Sequence, residues 1–487
     1  MKRIVLLVGM LLTGFVLIDG QTKLDDKDIA DVIENHFVFD HAVNVNKVDV
    51  EVTDGIAELT GEVSNLKAKE RAANISQLVK GVRSVSNRIE IDPSVYISDQ
   101  AIRNLAEQAL LEDPATELFE IDVDVTDKVI NLTGTVESYQ EKQLAANVAK
   151  SVKGVTGIEN NIDVDFAADR TDYEIKNEIE AVLAWDAMID DGLIDVKVKN
   201  GRVVLEGSVS SAAEKTNAAF DSWVAGVKSV DNSDLKVEWW LPDDKLRENK
   251  DVNVSDAEVA DAIDDATIYD PRVNSFDIVA DVELGWATLR GNVDNLRAKK
   301  AAELLAENTY GVKGVTNRIK VKTDDLADTD IRSNIGRALA ENAITESGEI
   351  AIAVNDGIAT LGGIVDSYLE RTEATWVASN VEGVNEVNNN LEVSYPYGYY
   401  WYGYYPFYDL TIYPEPKLIR DDNKIRNNVL EELGWSPYVD LDDVTIKVDD
   451  GIVSLLGEVD SYREYREAET NAFEAGAYEV ENELVIK

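Results

Sequence analysis

The sequence predicts an α+β protein, a tandem array of six small αββαβ modules, each a three-stranded mixed sheet with two helices on one face. A Leu-x-Gly-x-Val unit occurs six times in the chain. A turn position lies six residues before each central glycine, and a second glycine and an asparagine follow it at nearly fixed distances. Several coincident registers of this kind are typical of repeat architectures. At 487 residues the chain is also too long for one compact core.

The first helix of each module is predicted by apolar residues at i, i+3 and i+4 spacing, as at Ile29, Val32 and Ile33. Strict alternation follows, as in the Ile-Asp-Val-Asp-Val run at residues 121–125, and this pattern is typical of a half-buried strand. The turn position is a glycine in five modules and Lys128 in the second. Asp-Gly and Asn-Gly pairs favour two-residue hairpin turns, because both turn residues need a positive φ. The turn glycines are Gly55, Gly201, Gly285, Gly357 and Gly451.

The Leu-x-Gly-x-Val unit predicts the second strand, with its three named residues on one face. We expect the central glycine to let the second helix approach the sheet closely. An alanine eleven residues later is the expected small partner on that helix. These structural glycines are Gly61, Gly134, Gly207, Gly291, Gly363 and Gly457.

The second helix and the last strand complete the module. A glycine 19 or 20 residues after the central glycine is expected to end the helix in the left-handed conformation. Six residues further on every copy has an asparagine, within an apolar strand such as residues 85–91.

These features resemble the BON domain family (bacterial OsmY and nodulation domain). The resemblance rests on the hairpin glycine, the Leu-x-Gly-x-Val strand, helix ends such as Lys-Gly-Val, and the closing apolar strand. It covers six modules, at residues 27–92, 97–166, 172–240, 255–323, 327–394 and 422–487. Modules 1 and 4 are alike, as are modules 2 and 5, and their central glycines lie 230 and 229 residues apart. This spacing predicts a duplicated block of three modules.

Composition excludes most enzymes and nucleic-acid partners. The chain has 47 Lys and Arg against 94 Asp and Glu, a net charge of −47, whereas phosphate binding depends on clustered basic residues. The same charge disfavours an anionic lipid surface. There is no Cys, and the two histidines, His36 and His41, are expected at the surface. We therefore identify no catalytic residue and expect no cofactor.

The N-terminus predicts export. Lys2 and Arg3 precede an uncharged apolar stretch at residues 4–18, which is short for a membrane span. We interpret residues 1–20 as a signal peptide, and the protein as periplasmic or secreted. An uncleaved anchor and a buried helix are the alternatives.

An insertion at residues 395–421 is rich in Tyr and Pro, and its residues 395–413 carry a single charge, at Asp409. Such a composition is typical of contact surfaces, so the segment predicts a site for a protein or membrane surface of the envelope. A linker that packs its aromatic side chains on neighbouring modules, and a carbohydrate site, are the alternatives. The candidate partner-binding residues are Tyr397, Tyr399, Tyr400, Trp401, Tyr402, Tyr404, Tyr405 and Phe407.

Acidic clusters at residues 324–328 and 440–443 suggest a divalent cation only weakly, because they lack the ligand spacing of a calcium-binding loop. The family resemblance implies an envelope protein linked to osmotic or envelope stress, with phospholipid binding in several members. We therefore expect an exported, non-enzymatic binding or scaffolding protein. The alternatives are a spacer rod, whose modules contact mainly their neighbours, and an acidic protein that responds to ions or osmolytes. The sequence leaves the oligomeric state open.

Overall fold

The computed structural model describes residues 24–40, 43, 47–92, 97–113, 115–116, 120–166, 170–241, 254–273, 277–322, 326–345, 350–393, 421–439, 441–459 and 461–486. The predicted signal peptide, and all of the Tyr-rich insertion except residue 421, lie outside these ranges.

Within these ranges each module contributes two helices. They are α1 (Asp26–Phe39), α2 (Leu66–Gln77), α3 (Asp99–Glu112), α4 (Tyr139–Lys150), α5 (Asp172–Trp185), α6 (Ala212–Asp221), α7 (Asp256–Tyr269), α8 (Leu296–Glu307), α9 (Asp328–Glu341), α10 (Tyr368–Ser379), α11 (Asp422–Trp435) and α12 (Tyr462–Glu474). The strands are β1 (Val48–Thr53), β2 (Ile56–Val63), β3 (Ser84–Asn87), β4 (Glu90–Ile91), β5 (Glu120–Thr126), β6 (Val129–Val136), β7 (Gly157–Val164), β8 (Ile194–Lys199), β9 (Arg202–Val209), β10 (Ser229–Asp231), β11 (Leu235–Val237), β12 (Val279–Glu283), β13 (Trp286–Arg290), β14 (Asn292–Val293), β15 (Gly314–Asn317), β16 (Lys320–Val321), β17 (Ile350–Asn355), β18 (Ile358–Val365), β19 (Glu386–Val393), β20 (Val444–Asp449), β21 (Ile452–Val459) and β22 (Glu479–Ile486).

The predicted fold class is confirmed. In each module the first two strands form an antiparallel hairpin, and the last strand pairs in parallel with the second, which is therefore central. In module 2, for example, β5 pairs with β6 from Glu120 opposite Thr135, and β6 pairs with β7 from Val129 opposite Gly157. The last strand is interrupted in modules 1, 3 and 4.

The core of each module lies between its helix pair and one face of its sheet. The alanine predicted on each second helix is fully buried there; these residues are Ala72, Ala145, Ala218, Ala302, Ala374 and Ala468. The opposite sheet face is solvated. In β5 the exposed residues are Glu120, Asp122, Asp124 and Thr126, so the outer face is acidic.

The hairpin turns have the predicted geometry. Asp54 and Gly55 have φ values of 50° and 74°, as a two-residue turn of this type requires. Lys128 adopts a φ of 66° in the turn of module 2, where the other modules have glycine. The glycines expected to end the second helices have φ between 86° and 104°, the left-handed conformation predicted for them. Only Gly476 directly follows a helix cap, Ala475, as the prediction requires. In the other modules the helix ends earlier, for example at Gln77 in module 1, and the glycine lies in the turn that follows.

The reason expected for the central glycines is wrong. All six have φ between 116° and 146°, a region that other residues rarely adopt. A Cβ atom on Gly61 would lie 2.0 Å from the carbonyl oxygen of Lys47, and one on Gly134 would lie 2.2 Å from that of Glu120. The close neighbour is therefore the backbone that enters the first strand, and not the second helix.

The second helices join modules 1, 2 and 3 into a first ring. The start of α2 packs against module 2, where Leu66 joins the core and Glu70 pairs with Lys150. The start of α4 packs on the end of α6, where the aromatic side chains of Tyr139 and Trp223 stack with centroids 4.1 Å apart. The ring closes where α6 meets α2, since the hydroxyl of Thr216 donates to Oε1 of Gln77 over 3.2 Å.

Modules 4, 5 and 6 form a second ring in the same order. Arg297, at the start of α8, lies 5.1 Å from the centroid of the indole group of Trp376 in α10. Tyr368, at the start of α10, stacks on Phe473 of α12 with centroids 5.4 Å apart. Tyr462 closes this ring, because its hydroxyl donates to Glu307 of α8 over 3.3 Å. The two rings correspond to the two blocks predicted from the glycine spacing.

The two rings face each other, so that module 1 meets module 6, module 2 meets module 5, and module 3 meets module 4. Modules far apart in sequence are thus in direct contact, for example through His36 and Glu432. The expectation that modules contact mainly their sequence neighbours is therefore wrong, and with it the spacer rod.

Candidate functional site at the seams between the rings

An aspartate in the first turn of each first helix fixes that helix to the hairpin of its module. Asp172 accepts hydrogen bonds from the backbone N–H groups of Asn200 and Gly201, both at 2.8 Å. These bonds, more than any other interaction, hold the pKa of Asp172 below its usual range. The same pair of bonds occurs in all six modules, at Asp26, Asp99, Asp172, Asp256, Asp328 and Asp422.

Sequence reasoning missed this aspartate, although a signal for it exists. The residue always lies 29 positions before the second residue of the hairpin turn. It was hidden among 94 acidic residues, most of which have no fixed register.

The asparagine of the last strand holds the second helix. Asn389 donates through Nδ2 to the backbone carbonyl of Arg371 over 2.7 Å, and its Oδ1 accepts from the N–H of Leu391 over 3.0 Å. The bond to the helix carbonyl recurs in every module, from Asn87, Asn160, Asn232, Asn317, Asn389 and Asn482. With both helices fixed in this way, the helix ends meet the opposing ring in a defined position.

We call the contact between a module of one ring and the module it faces in the other ring a seam. Backbone hydrogen bonds cross each seam, from the end of a second helix to the end of a first helix. Between modules 2 and 5, Lys153 N–H donates to the carbonyl of Glu341 over 3.1 Å, and Ala343 N–H donates to that of Ser151 over 2.8 Å. Modules 4 and 3 make the same two bonds. Between modules 1 and 6 the first bond remains, from Lys80 to Trp435 at 3.0 Å. The second donor position there is Pro437, which has no N–H group.

Charged side chains are buried at the seam between modules 1 and 6. Nε2 of His36 lies 3.3 Å from a carboxylate oxygen of Glu432, and both side chains are about nine-tenths buried. Arg71 donates to Asp40 over 2.7 Å and pairs with Glu474 across the seam. The expectation of a surface position is therefore wrong for His36, because α11 covers it. His41 lies outside the described residues.

Burial disfavours the charged forms of both central groups. Burial, together with the nearby Arg71, lowers the pKa of His36 to about 4. Burial and the Glu474 carboxylate raise the pKa of Glu432 well above its usual range, and Arg71 offsets this rise only in part. Both directions favour a neutral histidine beside a protonated carboxyl group, rather than an ion pair.

A buried carboxyl group with a raised pKa beside a histidine is also the kind of pair found in catalytic sites. The space around it decides against that role. The cavity lined by His36, Arg71 and Glu432 has a volume of about 30 Å³, whereas ligand pockets measure several hundred Å³. The cluster therefore has room for about one water molecule and serves to join the modules.

Arg297 joins three modules at the seam between modules 2 and 5. Its guanidinium group forms a buried pair with Asp113 of module 2 while it lies over Trp376 of module 5. A buried pair of this type stabilises the assembly only while both partners are present, since an unpaired buried charge is strongly unfavourable.

The structure describes only part of the predicted site. The eight candidate aromatic residues between Tyr397 and Phe407 lie outside the described residues, and the six central glycines lie within them. In the ranges that the structure covers, no group of three or more Asp, Glu or His side chains is arranged to hold a metal ion. Part of each acidic cluster, at residues 324–325 and 440, lies outside those ranges. No helix in the described part of the chain is long and apolar enough to cross a membrane.

Comparison with known proteins gives matches over most of the chain. The profile of the BON domain matches six segments, at residues 25–93, 98–165, 171–238, 255–323, 327–395 and 421–487. Osmotically-inducible protein Y of Escherichia coli (strain K12) is 33% identical over 148 residues, which cover 29% of this chain and 73% of that protein.

Solved structures also match, at low identity. CdsD, a structural protein of the type III secretion system of Chlamydia trachomatis, is 16% identical with a TM-score of 0.11, covering 43% of this chain and 91% of that chain. Its C-terminal domain is 16% identical with a TM-score of 0.12, covering 44% of this chain and 100% of that chain.

Proposed function

Because this chain belongs to the BON domain family, we propose that it is an exported, non-enzymatic binding and scaffolding protein of the cell envelope that acts in osmotic or envelope stress. The similarity to a protein named as osmotically inducible supports the link to osmotic stress. The basic and apolar pattern of residues 1–20 supports export to the periplasm or the medium.

One observation supports the binding role. The helices of each module pack against those of other modules, so the outer faces of the sheets and the insertion remain for contact with a partner. The exposed faces of the strands differ in charge between modules, since Asp122 and Asp124 lie on that of β5 and Lys197 and Lys199 on that of β8. The insertion between modules 5 and 6 differs from them in composition, because its residues 395–408 are rich in aromatic side chains and carry no charge. We therefore assign the contact with an envelope component to Tyr397, Tyr399, Tyr400, Trp401, Tyr402, Tyr404, Tyr405 and Phe407.

Co-sedimentation of the exported protein with its own envelope fractions tests this assignment. Replacing Tyr400, Trp401, Tyr402 and Tyr404 together by Ser should abolish co-sedimentation and leave the thermal transition of the modules unchanged, since a few aromatic residues usually dominate a contact. A matched control replaces Tyr173 and Tyr269, which are 73% and 80% exposed, by Ser. That control should still co-sediment.

The nature of the envelope component can be separated in the same assay. Binding to protein-free phospholipid vesicles would identify a lipid contact, whereas loss of binding after protease treatment of the envelope would identify a protein. Full co-sedimentation of the fourfold Ser variant would contradict the assignment. A fall in its melting temperature with binding retained would show that the aromatic residues are internal packing.

A further inference from the structure

A large cavity lies at the seam between modules 2 and 5. Its volume is about 550 Å³, and its walls come from both helices of each of these modules, with Asp294, Asn295 and Lys322 of module 4 at one side. This size is within the range of pockets that hold small organic ligands.

Two alanines line this cavity at the positions where two long side chains meet in the seam between modules 1 and 6. His36 and Glu432, which meet at the seam between modules 1 and 6, are each the eleventh residue of their first helix. The eleventh residues of α3 and α9 are Ala109 and Ala338, and both line the cavity. Two equivalent seams thus differ in their empty space. The seam between modules 1 and 6 has a cavity of about 30 Å³, and the seam between modules 2 and 5 has one of about 550 Å³.

The wall of the cavity is mixed, and one part of it is apolar. Val148 and Val377 face it from the second helices of modules 2 and 5, and Trp376 lies beside them. Leu111, at the end of α3, also lines the cavity and is 67% exposed. An apolar chain or ring system suits these walls.

The polar lining is acidic overall. Glu112, Asp113, Asp294, Glu341 and Glu382 line the cavity together with the cations Arg337 and Lys322. A third cation, Arg297, pairs with Asp113, so five carboxylates face three cations. Arg337 already donates to Glu112 over 2.9 Å and to Glu341 over 3.4 Å, so its charge is compensated. In a chain of net charge −47 this lining attracts a cation and repels an anion.

We propose that this cavity is a binding site for a small amphipathic cation, with an apolar body held between α4 and α10 and an ammonium group at the acidic rim. The site is independent of the envelope contact, because it uses none of the residues of the insertion. The alanine pair determines its position, and the excess of carboxylates determines the sign of its ligand.

Binding to the full exported chain tests the site. The fluorescent probe N-phenyl-1-naphthylamine should bind at one site per chain, because its body is apolar. Decyltrimethylammonium should displace it, and decyl sulfate, which has the same chain and the opposite charge, should compete at least tenfold more weakly. Equal competition by the two ions would overturn the cationic assignment.

Filling the cavity tests its location. Ala338→Leu, and separately the pair A109H and A338E taken from the closed seam, should weaken probe binding at least tenfold without lowering the melting temperature. Ala257→Leu adds the same apolar bulk at an exposed position of α7 and should bind as the wild type does. If a folded filling variant keeps wild-type binding, the probe adsorbs elsewhere on the acidic surface and the proposal fails; either of the two variants suffices for this decision.

Discussion

At the scale of single residues, the central glycine of the second strand is determined by backbone geometry. At Gly134 a φ of 140° combines with a carbonyl oxygen 2.2 Å from the position of a Cβ atom. We expect Gly134→Ala to lower the free energy of unfolding by about 2–4 kcal/mol, since strained φ and overpacking each cost about 1–3 kcal/mol. Urea denaturation measures this change.

Gly362→Ala is the matched control, because a Cβ atom there meets nothing within 4 Å. It should change the free energy of unfolding by about 0.5 kcal/mol or less, as surface substitutions usually do. Equal losses at Gly134 and Gly362 would mean that backbone contact does not explain the central glycine.

The buried histidine makes stability depend on pH. The pKa of His36 is lowered to about 4 in the folded protein, whereas an unfolded histidine titrates near 6.5. Between these values the unfolded chain binds more protons at this residue, so its contribution to stability is complete above about pH 6.5 and falls as the pH is lowered toward 4. The lowered pKa corresponds to about 3 kcal/mol.

Glu432 acts in the opposite direction. Its pKa is raised in the folded state, so its contribution is lost as the pH rises above its unfolded value. His36→Gln removes only the contribution of the histidine to the pH dependence of stability. The other charged groups around it stay in place, namely Arg71, Asp40, Glu474 and Glu467. Thermal melts from pH 4 to 7 should therefore show a difference between wild type and variant that increases as the pH rises. A constant difference would contradict the buried, neutral histidine.

At the scale of secondary-structure elements, the aspartate at the start of each first helix connects that helix to its hairpin. Asp256 accepts from Leu284 at 2.8 Å and from Gly285 at 3.0 Å. Hydrogen bonds to a charged group contribute about 1.5–3 kcal/mol each, and a carboxylate also suits a helix N-terminus. Asp256→Ala should therefore lower the free energy of unfolding by about 2–4 kcal/mol.

Asp261→Ala in the same helix is the control, because Asp261 is exposed. Its effect should stay within about 0.5 kcal/mol. Hydrogen exchange of the N–H groups of Leu284 and Gly285 should increase in the Asp256 variant alone, and unchanged protection there would count against the connection.

At the scale of the whole molecule, the three seams connect the first ring to the second. When the chain is divided within residues 242–253, the two halves should therefore copurify as a one-to-one complex. Arg71→Glu should weaken this association, because Arg71 pairs with Glu474 in the other half. Arg88→Glu is the matched control, since its partner Glu58 lies in the same module and the Arg88 side chain is 67% exposed.

Size-exclusion chromatography with light scattering measures the association. Two halves that remain separate and stable at micromolar concentration would show that the seams contribute little. The rings also change the expectation for a module-disrupting substitution. Gly134→Ala should weaken module 5 together with module 2, because the two share a seam.

The module was predictable because its features are local. The hairpin turn, the alternating strands and the left-handed glycine after the second helix each depend on residues within one repeat, and six copies make the register visible. The same comparison of repeats identified the central glycine but not the reason why glycine is needed there. The alternating pattern places a residue on one face of a strand, but it does not show which atoms lie next to it. The acidic connection at Asp256 was missed because one fixed acid among 94 has no distinctive composition.

The sequence by itself determined the six modules, their grouping into two blocks, and the composition of the insertion. Only the tertiary structure decided that the blocks close into facing rings and that His36 is buried against Glu432. It also decided that a cavity lies beside Ala109 and Ala338, which occupy the equivalent positions in the seam between modules 2 and 5. The physical reason is distance along the chain. Hydrophobic periodicity assigns a residue to a buried face within one module. A seam joins residues between about 120 and 400 positions apart, and only the folded structure shows whether the space between them is filled.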